Sequence, residues 1–214
     1  MYLNAQVAVT RVKKDKMKII IDYISQFIPL ETADAELLIS CMCKRKYKSN
    51  EILYKEGIIC KSILFLKSGT ARSYFINSEG QEYTWKFNFN DKDATFINFF
   101  IMDYHSFLTQ TPSYLSAEAI EDIEVIELSF DNLQKLLKQS PKMQEILRVF
   151  SEVAYSTTHI KAFDFLTKSA KDRYLKMLKD EPYLLNKFPQ YYIASYLGIA
   201  PQSLSRLRKE ISGK

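Results

Sequence analysis

Gln190-Tyr191-Tyr192-Ile193-Ala194-Ser195-Tyr196-Leu197-Gly198-Ile199-Ala200-Pro201-Gln202-Ser203-Leu204-Ser205-Arg206-Leu207-Arg208-Lys209-Glu210-Ile211 is the stretch that decides the fold. Ile193, Ala194 and Leu197 recur at helical spacing and give one helix an apolar face. Ala194 is small, so a second helix can cross close to the first. Gly198 supplies the left-handed residue that ends a helix. Ile199 plugs the corner, and Pro201 suits the first turn of a new helix, where its missing N–H costs nothing. Two helices joined by a short Gly-containing turn form the helix-turn-helix pattern.

The second helix is read at about 100° per residue. With Leu204 at the centre of the buried face, Leu207, Arg208 and Ile211 fall within about 60° of it. Gln202, Arg206 and Lys209 point the opposite way, flanked by Ser203 and Ser205. An amide and a guanidinium on one outer face suit base edges, because Gln pairs with adenine N6 and N7 and Arg with guanine O6 and N7. Arg208 and Lys209 suit phosphates. The expected DNA contacts are therefore Gln202, Ser203, Ser205, Arg206, Arg208 and Lys209. A helical hairpin with a polar outer face is the plainer alternative.

Charge points the same way. Residues 167–214 hold seven Lys and three Arg against two Asp and two Glu, a net of +6, within a chain whose total is +5. A basic segment on a near-neutral body suits a polyanion, double-stranded DNA above all, although a solvated basic surface would look the same.

Outward from this segment, Met143, Ile146, Phe150, Val153, Thr157 and Ile160 repeat with a heptad-like period behind Pro141. Such a seam packs on the chain's own body or on a second copy. Its length of about 25 residues favours a homodimer interface. The helix breaks near Leu166-Thr167-Lys168-Ser169, where Ser169 and Asp172 form a cap signature. Residues 45–128 read as short strands: Ser62 to Lys67, Thr70 to Ile76, Gln81 to Phe89, Leu115 to Ala119 and Ile123 to Leu128, with a hairpin signal at Asn77-Ser78-Glu79-Gly80. Residues 17–43 read as helical, from Met17, Ile20, Ile21, Ile24 and Phe27 and then Leu37, Leu38, Cys41 and Met42. The expected fold is α+β: a double-stranded β-helix, or β-roll, over 17–140, a dimerisation helix over 141–166, and a helix-turn-helix unit over 167–214 with no residues for a full wing.

Several functions are set aside by composition. No apolar run approaches the length of a membrane span, so no membrane partner is expected. Residues 1–16 make a poor signal peptide. Cys41, Cys43 and Cys60 are too few for an iron–sulfur cluster with four thiolates, and a buried structural role is expected for them. Three unpaired cysteines fit a reduced, cytoplasmic compartment. His105 and His159 lie in different elements, so no metal site is expected. No Gly-rich phosphate loop or nucleophile–base pair stands out, so neither a cofactor nor an enzyme activity is expected.

The order of elements, with Ile193-Ala194-Ser195-Tyr196-Leu197-Gly198-Ile199, Pro201, Leu204-Ser205-Arg206, Asp172-Arg173-Tyr174 and Ala119-Ile120-Glu121-Asp122, resembles the cyclic-AMP receptor and FNR (Crp-Fnr) superfamily of bacterial regulators over about residues 20–212. The resemblance implies a homodimeric, sequence-specific DNA-binding transcription regulator in which the positions of Gln202, Ser205 and Arg206 contact bases. It also implies a pocket for a cyclic nucleotide, held by a Glu at the ribose and an Arg at the phosphate. The matching stretches are Thr95-Phe96-Ile97-Asn98-Phe99 and Thr111-Pro112-Ser113-Tyr114-Leu115, which carry neither. No cyclic nucleotide is therefore expected. The aromatic residues here read as filled core, the alternative being a pocket for an unidentified apolar effector lined by Phe96, Phe99, Phe107 and Tyr114. A β-roll sensor whose helical tail binds a protein partner is the alternative to DNA binding.

Overall fold

A computed structural model describes residues 17 and 19–212, with backbone alone at 96, 97 and 212. Helices α1 (19–25) and α2 (Thr32–Ser40) lead into eight strands: β1 (Met42–Tyr47), β2 (Ile52–Tyr54), β3 (Ser62–Ser68), β4 (Ala71–Ile76), β5 (Glu82–Asn88), β6 (Phe100–Ile101), β7 (Ser116–Ala119) and β8 (Ile123–Ser129). They form two antiparallel four-stranded sheets, in the orders β1-β8-β3-β6 and β2-β7-β4-β5. Short helices α3 (Phe96–Phe99) and α4 (Tyr104–Thr109) flank β6. The chain closes with α5 (Phe130–Gln139), α6 (Pro141–Thr167), α7 (Ala170–Asp180), α8 (Leu184–Lys187), α9 (Gln190–Tyr196) and α10 (Pro201–Ser212).

Three apolar cores follow from this layering. Leu64, Leu66, Ala71, Ile101, Ala117, Ala119, Ile123 and Val125 fill the space between the sheets. Phe65, Ile126 and Leu128 face outward under α1, α2, α5 and α6. On the other sheet, Phe87 and Phe89 face outward under the C-terminal helices. A strand buried on both faces needs apolar residues on both, which is why β8 departs from strict alternation.

Several expectations need correction. Met42 and Cys43 belong to β1 and not to the helical segment. β1 lies at a sheet edge and carries Lys44-Arg45-Lys46, so it lacks the alternation that marks a strand; Arg45 and Lys46 pair with Glu127 and Glu124 of β8, each at 2.8 Å. Cys43 is exposed and only Cys60 is buried. Met143 and Ile146 are buried in the chain's own core, and Phe150 packs edge-on against Phe27 and Phe100 at ring distances of 6.0 and 5.6 Å. The first half of α6 is thus an internal helix. Val153 is half-buried, and Thr157 and Ile160 are exposed. The unpartnered apolar face of α6 lies further along, on Tyr155, Ile160, Phe163 and Leu166, of which Leu166 is 84% exposed.

The aromatic residues named for the alternative pocket lie in different surroundings. Phe99 and Phe107 are buried in the core beneath the helices, and Tyr114 is exposed, stacking on His105 at 5.8 Å. The side chain of Phe96 lies outside the described residues.

Candidate nucleic-acid interface

The α9–turn–α10 unit is built as its sequence dictates. Ile193, Ala194, Leu197 and Leu204 are buried at the crossing. The Gly198 N–H donates to Ser195 O at 3.1 Å and the Ile199 N–H to Ala194 O at 3.0 Å, the paired bonds of a glycine-ended helix. Gly198 has φ +68°, and a Cβ there would lie 2.8 Å from the Phe165 ring. Arg173 of α7 holds the turn in place. Its Nη2 and Nε donate to Leu197 O at 2.8 and 3.2 Å, and its Nη1 donates to Lys168 O at 2.6 Å.

This leaves the outer face of α10 open. Gln202, Ser205, Arg206, Arg208 and Lys209 are exposed, Ser203 is half-buried and Leu204 is buried. Ile211, assigned to the buried face, is 36% exposed. Glu210, the one carboxylate of α10, is drawn to Lys171 at 2.5 Å. Over 202–209 the exposed polar groups are amide, hydroxyl, guanidinium and ammonium, and the exposed Glu210 carboxylate at the helix end is offset by Lys171. Such a surface can donate hydrogen bonds to base edges and compensate phosphate charge.

The unit does not hang free of the β-roll. Ser195 Oγ accepts the Thr84 N–H at 2.7 Å and donates to Glu82 O at 3.0 Å. Arg72 of β4 bonds Glu118 at 2.7 Å and Glu82 at 2.6 Å, with its guanidinium between the Tyr74 and Tyr192 rings at 4.4 and 4.0 Å. Phe87 stacks on Phe188 at 4.0 Å, and Lys187 bridges Asp91 and Asp93 at 2.8 Å each. Lys161 of α6 donates to Trp85 O and lies 4.2 Å from the centre of the Tyr196 ring. Desolvation pushes its ammonium down to about 7; Glu181 opposes that shift and Lys86 adds to it. None of these contacts was read from the sequence. The one available signal was Ser195, a hydroxyl in the otherwise apolar run of α9.

In the loop after α4, Ser113 is buried while Thr111, Pro112 and Tyr114 are exposed. Asp103 caps α4, and its Oδ2 accepts Ser113 Oγ at 2.7 Å and the Tyr114 N–H at 3.1 Å.

Comparison with known proteins places this architecture. The cyclic nucleotide-binding domain family matches residues 44–140. The Anaerobic regulatory protein of Haemophilus influenzae is 32% identical over 109 residues, covering 50% of this chain and 39% of that protein. Electron transport regulator A of Shewanella oneidensis is 26% identical over 179 residues, covering 77% of this chain and 66% of that one. The chain thus matches between about two fifths and two thirds of the length of these relatives. In fold it is similar to FixK2 from Bradyrhizobium japonicum, at TM-score 0.66 and 17% identity over 80% of this chain and 85% of that one. It is also similar to the c-di-GMP responsive regulator CLP of Xanthomonas campestris, at TM-score 0.64 and 15% identity over 86% and 92%.

The residues present do not fit the cyclic nucleotide for which the domain family is named. The stretch 95–99, which the resemblance sets against the ribose segment, carries no Glu, and Phe99 within it is buried in core. The stretch 111–115, which the resemblance sets against the phosphate segment, carries no Arg, and the Ser113 hydroxyl and the Tyr114 N–H already serve the Asp103 carboxylate, a like charge for any phosphate. With its β-roll and long helix, the chain carries a segment matching the cyclic nucleotide-binding domain family and is similar to regulators of the Crp-Fnr type.

Proposed function

We propose that the protein is a sequence-specific DNA-binding transcription regulator, working as a homodimer and responding to an effector other than a cyclic nucleotide or to none. The observation that carries this reading is the outer face of α10, where Gln202, Ser205 and Arg206 are exposed above a buried Leu204. In this reading α9 and α10 are a helix-turn-helix. Gln202, Ser203, Ser205 and Arg206 meet base edges, and Arg208 and Lys209 meet phosphates. Two copies joined along α6 would set their recognition helices about 34 Å apart, one turn of the duplex. The exposed Tyr155, Ile160, Phe163 and Leu166 support that pairing. The relatives named as regulators support the same conclusion.

The test is binding to genomic fragments across a salt series. Phosphate contacts release counterions, so affinity should fall steeply and linearly in log–log form. Affinity for all fragments that is flat with salt would favour a protein-binding tail instead.

A further inference from the structure

Lys161 stands where three parts of the chain meet. It projects from the second half of α6 to β5 and α9, and its Nζ donates to Trp85 O. The Nζ lies 4.2 Å from the centre of the Tyr196 ring and 4.8 Å from that of Trp85. The Tyr196 ring also rests on Phe87 of β5 at 5.2 Å, and its hydroxyl donates to Glu181 at 3.1 Å. One lysine thus touches both the strand and the helix docked on it, the pair joined by the Ser195–Thr84 bond.

The position is poorly furnished for a charge. An ammonium carries three N–H donors, and Trp85 O is the one acceptor for them among the described residues. No carboxylate of the described residues lies within ion-pair distance, and Asp164, three positions on, is taken by Lys168 and Lys176. Lys161 is half-buried, and its amino end is the desolvated part. Desolvation holds the ammonium down at about 7, against Glu181, which favours the charge, and with Lys86 of β5, which opposes it. Tyr196 stays neutral over the same interval, because burial and then Glu181 hold its phenol well above the usual range. His159 turns to another neighbour on α6, stacking on Tyr155 at 5.8 Å.

We propose that Lys161 is a proton-operated latch between the β-roll and the α9–α10 segment. The neutral amine lets α9 close on β5. A proton taken from solvent favours the arrangement in which α9 has lifted from β5 and water surrounds the ammonium. An opened lysine keeps its proton to about 10.4, a docked one to about 7. Between these limits the open form holds the extra proton. Each unit fall in pH therefore raises the ratio of open to docked by about tenfold, and below about 7 the ratio levels off. The latch goes beyond the DNA-binding reading and holds whatever α10 meets.

Two reporters in the unaltered full chain test it. The Thr84 N–H is held by Ser195 Oγ, so it exchanges with solvent when α9 leaves β5. Trp85 is the single tryptophan of the chain. Between pH 7 and 9, Thr84 protection, corrected for intrinsic base catalysis, should rise about tenfold per unit. Trp85 emission should titrate near 7. The Ile126 amide of the buried strand β8 reports global unfolding and should stay better protected than Thr84. Lys161→Met should remove both pH dependences and leave Thr84 protected at pH 7. If that variant does not fold, the two titrations of the parent decide alone. Thr84 protection that ignores pH, matches that of Ile126, or varies with pH as much in Lys161→Met as in the parent would overturn the proposal. DNA affinity enters none of these readouts.

Discussion

Ser195 and Thr84, 111 positions apart in the chain, share a buried hydrogen bond of 2.7 Å that joins α9 to β5. The hydroxyl also donates onward to Glu82 O, so one side chain satisfies two backbone groups of the strand. Ser195→Ala should leave both unpaired and lower stability by about 1–3 kcal/mol. Chemical denaturation checks the magnitude. A midpoint unchanged from the parent would mean that α9 does not rest on β5 in solution.

Gly198→Ala should destabilise for two separate reasons. Alanine is disfavoured at φ +68°, and its Cβ would press on the Phe165 ring. The expected cost is about 1–3 kcal/mol. Adding Phe165→Ala should recover the steric part and not the backbone part. A strictly additive double variant would show that the ring contact is unimportant.

The two halves of α6 should respond differently to substitution. Met143→Ala opens a hole in the chain's own core and should cost about 2–5 kcal/mol. Leu166→Glu, at an exposed position, should leave the fold intact and shift the molar mass in light scattering toward a single chain. A dimer that persists with Glu at 166 would move the interface elsewhere.

Arg206→Ala should equalise affinities for preferred and unrelated DNA while keeping salt-sensitive binding, because Arg208 and Lys209 still meet the backbone. Competition between two duplexes measures this directly. Unaltered discrimination would remove Arg206 from the set of base readers.

Stability should rise with pH between about 7 and 9. An unfolded lysine keeps its proton to about 10.4, whereas folded Lys161 releases it near 7. Over that interval the unfolded chain binds more protons, so rising pH favours the fold. Lys86, at about 8, adds a contribution of the same sign. Lys161→Met should flatten most of the slope; a parent protein with no slope would contradict the burial of these ammonium groups.

The sequence was most legible where one local signal sufficed. Gly198, Pro201 and the Ile193–Leu204 apolar set are decided within twenty residues, and the Ser169 cap by its neighbour Asp172. The face of α6 was not legible that way. Met143 and Leu166 both fit an apolar seam, and only the tertiary arrangement decides that the first packs inward. β1 was hidden by its charges, which guard a sheet edge. The Asp103 contacts escaped notice because a carboxylate capping a short helix carries no long-range mark.

The strand order leaves β5 at the end of its sheet, its outward Phe87 and Phe89 covered by α8 and α9. During synthesis that covering arrives last, after about a hundred further residues have emerged. A ribosome-bound chain therefore passes through an interval in which an aromatic strand edge is bare, the feature from which intermolecular sheet growth starts. Truncation before residue 184 would make that interval permanent, and such fragments should collect in the insoluble fraction on expression.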